Sequence, residues 1–151
     1  MRPTKNQYFL DIALAVAKRS TCLRSAYGAI IVDSDRILSS GYNGSIRGAE
    51  NCCDRGFCFR PDAKTRTEYN LCVAVHSEDN VINNIRLLDP DIDLSGTTIY
   101  ISGINMKTGE PRYGEENLPC SGCAKLLKEN GIETLVIPGH SGPIELRVAD
   151  L

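Results

Sequence analysis

Apolar residues recur at helical spacing through QYFLDIALAVAKRS, at Phe9, Ile12, Ala13 and Val16, and Pro3 with Thr4 just ahead of them supplies a helix start. This is the first predicted helix. GAIIVDSDRILSSGY follows with β-branched residues before the polar turn Asp33-Ser34-Asp35 and with Ile37 and Leu38 after it, the pattern of a β-hairpin. From Asn43 to Tyr69 the periodicity disappears among Gly, Arg, three cysteines and Pro61. An irregular stretch of that length in a compact domain needs a function or an internal tether. LCVAVHSEDNVINNIRLL resumes a helical pattern through Val81, Ile82, Ile85 and Leu88, and predicts a second helix, opened by His76, that stops at Asp89-Pro90.

The second half alternates. TTIYISGI reads as a strand, NMKTGEPRYGEEN as a polar excursion, CAKLLKENG as a short helix closed by Gly131, and ETLVIPG as a further strand. The tail IELRVADL is a candidate fifth strand. Strands and helices in alternation imply a mixed sheet of about five strands with helices on its faces, an α/β domain in three layers, α/β/α.

Composition narrows the class. A chain of 151 residues fits one domain, taken as 1–151, and can bury about 70% of its unfolded surface. The formal net charge is −2 and the basic residues are scattered, which argues against gripping a nucleic-acid backbone and for a small ligand. MRPTKNQYFL lacks an apolar core of signal-peptide length, and no apolar run reaches the roughly 18 residues needed to span a bilayer, so the expectation is a cytoplasmic protein without a membrane partner. Seven cysteines is a high count for a reducing compartment, and an odd number cannot pair completely; clustered thiols there point to metal rather than disulfides.

Two of those cysteines sit in Pro119-Cys120-Ser121-Gly122-Cys123. If a helix begins near Cys120, the i, i+3 spacing puts both sulfurs on one face of the first turn, where unpaired N–H groups and the helix dipole favour thiolate. A catalytic zinc takes three protein ligands and keeps a position open, so a third ligand must come from elsewhere. Of the two histidines, His140 lies in the Gly/Pro-rich PGHSGP, which reads as surface loop, and His76 is the candidate. Two residues on comes Glu78, too close in sequence to chelate comfortably but placed to face that open position as a general base. Zn²⁺ with two thiolates and a neutral imidazole sums to zero charge, so a bound water can ionise without building up a large net charge. Hydroxide attack on an sp² carbon bearing an amine, with protonation of the departing nitrogen, would use both halves of the arrangement and release ammonia.

VHSEDN together with PCSGC resembles the zinc nucleoside and nucleotide deaminases, whose signature is H-x-E followed by P-C-x-x-C. Within them, STCLRSAYGAIIV, SSGYNGS and CVAVHSEDNVI are most similar to deoxycytidylate deaminases, which convert dCMP to dUMP, and the likeness runs from about Tyr8 to Ile137. The resemblance implies a cytidine deaminase-like fold, a catalytic zinc on His76, Cys120 and Cys123, and proton shuttling by Glu78. It implies sugar contact at Asn43 and a backbone contact from Ser77 to the pyrimidine carbonyl. It also implies a homo-oligomer, a hexamer being one candidate. In some deoxycytidylate deaminases, thiols at the positions of Cys22 and Cys52 bind a structural zinc; here Cys58 and Cys72 could complete a closed four-cysteine site, with Cys53 as neighbour or substitute. The chain departs from the family pattern at Ser77 and Asp79 and by the insertion MKTGEPRYGEEN.

Simpler readings stand beside these. Cys120 and Cys123 could be two small buried hydrophobes, and Glu78 a carboxylate favoured by a helix N-terminus. The other five cysteines could be plain thiols, and Asn43 a left-handed turn residue. The same core could act on another aminated base or nucleoside, such as guanine or cytidine, or serve as a zinc-stabilised nucleotide-binding protein without turnover.

Overall fold

The computed structural model describes residues 1–60 and 71–151. Of the irregular stretch expected over 43–69, positions 61–69 lie outside the described residues.

The first helix, α1 (Lys5–Ala17), is capped by Thr4, whose hydroxyl accepts a hydrogen bond from the Gln7 N–H at 3.2 Å. A threonine oxygen there satisfies one of the orphan donors of the first turn. Its buried stripe is Phe9, Leu10, Ala13 and Ala17; Ile12 and Val16, expected at its centre, lie on its flanks. The hairpin forms as predicted, β1 (Ser25–Asp33) and β2 (Arg36–Tyr42), with Asp33 paired to Arg36. Both loop residues, Ser34 and Asp35, have positive φ, at 48° and 65°. A two-residue loop of that hand matches the twist of the strands it joins.

The segment 71–88 is the main departure from the predicted elements. Only Ser77–Leu88 is helix (α3). Ahead of it, β4 (Ala74–Val75) pairs antiparallel with β3 (Gly44–Ser45), a two-stranded sheet that the helical reading of LCVAV missed. Alternating Val73, Val75 and small residues satisfy either period over so few positions, and the backbone of β3 decides between them. His76 is therefore the N-cap of α3 rather than its first helical residue, and Leu88 is solvent-exposed rather than part of the buried stripe of Val81, Ile82 and Ile85.

Between Asn43 and the described limit at 60 there is one short helix, α2 (Cys52–Arg55). The second half runs β5 (Thr98–Asn105), a 3₁₀ turn (Gly114–Asn117), α4 (Ser121–Glu129), β6 (Thr134–Gly139) and β7 (Gly142–Arg147), so the candidate fifth strand is present. Gly131 adopts φ 75° after the end of α4, and its N–H and that of Ile132 return to the carbonyls of Lys128 and Leu127. This is the paired closure that a left-handed glycine permits.

The sheet order is β2-β1-β5-β6-β7, with β5 and β6 parallel and the other pairs antiparallel. Strand alternation divides the core into two. Ile30, Val32, Tyr100 and Val136 meet α1 on one face; Ala29, Ile31, Ile99, Ile101, Leu135 and Ile137 meet α3 and α4 on the other. The expected three-layer α/β/α arrangement with a mixed five-stranded sheet is the one observed.

Helix α3 is zipped to edge strand β2. Asn80 Nδ2 donates to the Tyr42 carbonyl and Asn84 Nδ2 to the Ser40 carbonyl, both at 2.8 Å, while Ser39 Oγ donates to the Val81 carbonyl at 2.8 Å. Gly41 makes that approach possible: a Cβ there would fall 2.4 Å from the Val81 nitrogen. Because the obstacle is helix backbone, a methyl group must push α3 outward. Gly41→Ala is expected to cost about 1–3 kcal/mol in urea unfolding. Stability equal to the parent would mean that the helix–strand approach is looser than described.

Candidate metal centre and cavity

Helices α3 and α4 begin side by side over the sheet, and each is preceded by an N-cap in extended conformation. His76 has φ −72° and ψ 156°, and Cys120 has φ −64° and ψ 167°. An N-cap residue is half outside its helix, so its side chain projects past the first turn. His76 makes no capping hydrogen bond with its ring, which leaves the imidazole to reach across. Its Nδ1 lies 3.3 Å from Cys123 Sγ and 3.6 Å from Cys120 Sγ, and all three atoms fall within 4.8 Å of one another. Among the described residues this is the one group of three or more such side chains that could hold a metal ion.

The donor set fits zinc. Bond lengths of about 2.3 Å to sulfur and about 2.05 Å to nitrogen at the tetrahedral angle separate N and S by about 3.6 Å, close to both observed values. The electrostatics agree. Burial pushes the Cys123 thiol far up from its ordinary range, and the charges of Glu78 and Cys120 add to the effect. This reverses, for Cys123, the expectation that the helix start alone would favour thiolate: desolvation outweighs the dipole once the sulfur is buried. A divalent cation supplies the positive charge that the site lacks.

Glu78 is buried in the first turn of α3, and its Oε2 accepts a hydrogen bond from Ser77 Oγ at 3.0 Å. Ser77 is also buried, so the pair forms a fixed wall. Both line a cavity of about 300 Å³ together with His76 and Cys120. That is the small end of the range for ligand sites. The hydrophobic floor includes Ile101, and Tyr27 stands beside it. Burial raises the pKa of the Tyr27 phenol; Arg112 opposes this, while Glu116 and Glu78 reinforce it, so it stays a donor, bonded to the Glu116 carbonyl at 2.6 Å.

Asn43 lines the same cavity but its amide already serves the protein. Oδ1 accepts from the Tyr27 N–H at 2.7 Å and from Ser20 Oγ at 2.6 Å, and Nδ2 donates to the Ser25 carbonyl at 2.8 Å. It is not a left-handed turn residue, since positive φ outside glycine occurs at Ser34 and Asp35 among the described residues. Cys22, Cys52, Cys58 and Cys72 all line this cavity too, yet the group that could hold a metal ion among the described residues does not include them. Cys53 is exposed, and His140 lies at the surface with its ring 5.0 Å from that of Tyr113.

From the sequence, Arg24, Arg47 and Lys125 are basic residues that could meet a phosphate, with none singled out as a ligand; of these Arg24 lines the cavity, and Arg55 and Arg60, which sequence reasoning missed, line it too. Arg24 donates to the Arg60 carbonyl. The Arg55 guanidinium lies 3.7 Å from the centre of the Phe59 ring, donates to Cys52 Sγ at 3.3 Å and pairs with Glu50 at 3.6 Å. Only the cation–aromatic spacing R-G-F-C-F hinted at it in the chain.

Fold and triad define a class, an α/β/α domain with a three-donor cation site between two helix starts. The family model described as "Cytidine and deoxycytidylate deaminase zinc-binding region" matches residues 3–138, and the chain belongs to that family. Deoxycytidylate deaminase of Mycobacterium phage D29 is 36% identical over 149 residues, covering 93% of this chain and 98% of the relative. The ComE operon protein 2 of Bacillus subtilis is 32% identical over 130 residues, covering 86% of this chain but 57% of that protein. Deoxycytidylate deaminase of Schizosaccharomyces pombe is 27% identical over 143 residues, and the chain spans 37% of its length. Among solved structures, dCMP deaminase from the cyanophage S-TIM5 in complex with dCMP and dUMP superposes with TM-score 0.62 at 21% identity, over 91% of this chain and 82% of that one. Cytidine deaminase from Mycobacterium tuberculosis gives 0.54 at 16%, over 98% and 94%. These last two likenesses are of fold.

The cavity carries one further chemical consequence. Burial pushes the Cys58 thiol up, but the hydrogen bond from Arg24, the Arg60 backbone and the two guanidinium charges outweigh it, and its pKa lies below that of an ordinary thiol. In metal-free protein the iodoacetamide alkylation of Cys58, followed by peptide mass spectrometry, is expected to reach its plateau at lower pH than that of free cysteine. A pH profile matching free cysteine would remove the arginines as its partners.

Proposed function

We propose that this protein is a zinc-dependent hydrolytic deaminase of a cytosine nucleotide, converting dCMP to dUMP and ammonia. The observation that carries the reading is the meeting of His76, Cys120 and Cys123, with His76, Cys120 and the buried carboxylate of Glu78 lining one cavity. The relatives named deoxycytidylate deaminase support the substrate, and so do the three arginines that line the cavity, which suit a phosphate.

Zinc, when bound, supplies Lewis acidity that brings hydroxide within reach of neutral pH. The protein's own contribution is proton transfer. The Ser77 hydroxyl holds Glu78 Oε2, which leaves Oε1 to carry water's two protons in turn, the first to the ring nitrogen and the second to the departing amine. Water adds its oxygen to the carbon that carried nitrogen, the C–N bond breaks, and the amine leaves as ammonia with that second proton. Burial of Glu78 and Ser77 keeps competing water from the transfer. In this reading Ser77 also offers a backbone contact to the pyrimidine carbonyl, and Asn43 faces the sugar while bracing Tyr27.

The assay is a panel of dCMP, cytidine, guanine and related aminated bases scored for ammonia release. dCMP is expected to turn over best. Turnover of cytidine or guanine with dCMP inert would replace the nucleotide reading, and no turnover of any would favour a binding protein. Glu78→Gln is expected to keep its metal and lose about 10²- to 10⁴-fold in kcat; parent-like turnover would remove Glu78 from proton transfer.

The reading extends to the remaining cysteines and to assembly. The presence of Cys22, Cys52, Cys58 and Cys72 in the lining of one cavity supports a second, structural zinc. Leu87 and Leu88, exposed at the end of α3, are apolar surface suited to a second copy of the chain, in a homo-oligomer of which a hexamer is one form. The free thiols suit a cytoplasmic setting, and among the described residues no helix is long and apolar enough to cross a membrane. Elemental analysis is expected to give two zinc ions per parent chain and one after Cys58→Ser with Cys72→Ser. A count unchanged by those substitutions would remove the second site.

A further inference from the structure

The insertion 106–117 ends in a residue that the reaction described above does not use. Asn117 is 1% exposed, and its Nδ2 donates to the Arg112 carbonyl at 2.9 Å. Its Oδ1 is buried and has no hydrogen-bond partner. Exchanging the two ends of the amide would set oxygen against the Arg112 carbonyl, so the orientation is fixed by its neighbours. Asn117 is one of the residues lining the cavity that holds His76, Glu78 and Cys120.

Its placement is rigid. Arg112 pairs with Glu116 at 2.7 Å and donates to Ser25 Oγ at 2.8 Å, tying the end of the insertion to β1. Tyr27 donates to the Glu116 carbonyl from the other side. Underneath lies Gly103, where a Cβ would come 3.0 Å from Asn117 Oδ1 and 2.5 Å from the Tyr27 ring. The bare backbone of β5 thus makes room for both side chains at the floor of the site. A buried acceptor without a donor is costly, and native proteins retain few of them without a reason.

We propose that Asn117 is a substrate-recognition residue, its carboxamide oxygen accepting a hydrogen bond from a donor on the nucleotide, either a sugar hydroxyl or the exocyclic amine of the base. The proposal rests on the deaminase reading. A preformed acceptor that costs stability in the free protein is satisfied when ligand arrives, which favours a ligand carrying the donor over an analogue lacking it.

The test is calorimetric binding to the zinc-loaded Glu78→Gln protein, which is expected to hold substrate without turnover, with and without Asn117→Leu. Three ligands are used: dCMP, 2′,3′-dideoxycytidine monophosphate, which has no sugar hydroxyl, and dUMP, which has no exocyclic amine. Asn117→Leu is expected to weaken dCMP roughly tenfold. If the donor is the hydroxyl, the loss persists with dUMP and vanishes with the dideoxy nucleotide; if it is the amine, the two analogues exchange behaviour. Equal affinity for all three ligands, or an equal loss for all three, overturns the assignment, the latter because it marks a structural role. Should Asn117→Leu fail to fold, Asn117→Ala is read the same way, since ratios between ligands within one variant do not depend on its stability. If the Glu78→Gln parent binds none of the three, the deaminase reading fails and takes the Asn117 assignment with it; binding by the parent with no change in the variant sinks Asn117 alone.

Discussion

Two helix starts that face one another are the constraint on which the rest of the molecule depends. His76 and Cys120 are both N-caps with extended backbone, so each side chain leaves its helix at the end where backbone N–H groups are unpaired. Cys123, one turn into α4, is reached only because Cys120 precedes it by three residues on the same face. Its sulfur is buried by the same packing that makes it a poor thiolate without a cation.

The remaining architecture can be read as the support for that meeting. Parallel β5 and β6 with α4 between them set the start of α4 over the sheet. The short β3–β4 ladder stops the chain just before His76 and turns it into α3. Side-chain amides and hydroxyls on α3 and β2 then hold the helix at the distance that Gly41 allows. A polar zipper is well suited to this edge, because β2 is only half-buried and an apolar seam would leave its carbonyls without donors.

The cavity lining carries charge of both signs. The Glu78 carboxylate lies in the first turn of α3, where bond making is read to occur, while the guanidinium groups of Arg55 and Arg60 belong to α2 and the segment after it and that of Arg24 to the residue before β1. Stacking of Arg55 on Phe59 and its ion pair with Glu50 hold that group in place ahead of any ligand, which lowers the entropy lost on binding. Asn117 lines the same cavity and carries a buried acceptor without a donor.

Local patterns in the chain carried much of this. Thr4, the Ser34-Asp35 turn and Gly131 act within a few residues of themselves, so helix and hairpin limits near them are legible without tertiary information. The paired signatures H-S-E and P-C-S-G-C are equally local, since two residues on one helix turn have a fixed relation wherever the helix lies. The period of LCVAV was not legible, because its five residues needed the β3 backbone to become a strand. The commitments of Asn43, the low thiol pKa of Cys58 and the orphaned oxygen of Asn117 were hidden for the same reason: each depends on partners 16 or more residues away or on burial. The sequence by itself determined which side chains are chemically able to hold a cation and move a proton, because ligand type and helix spacing are properties of short segments. Tertiary structure alone decided how near His76 comes to the two sulfurs of α4, what charge the cavity wall presents and which polar atoms are left without partners, because those depend on distances through space that no spacing along the chain encodes.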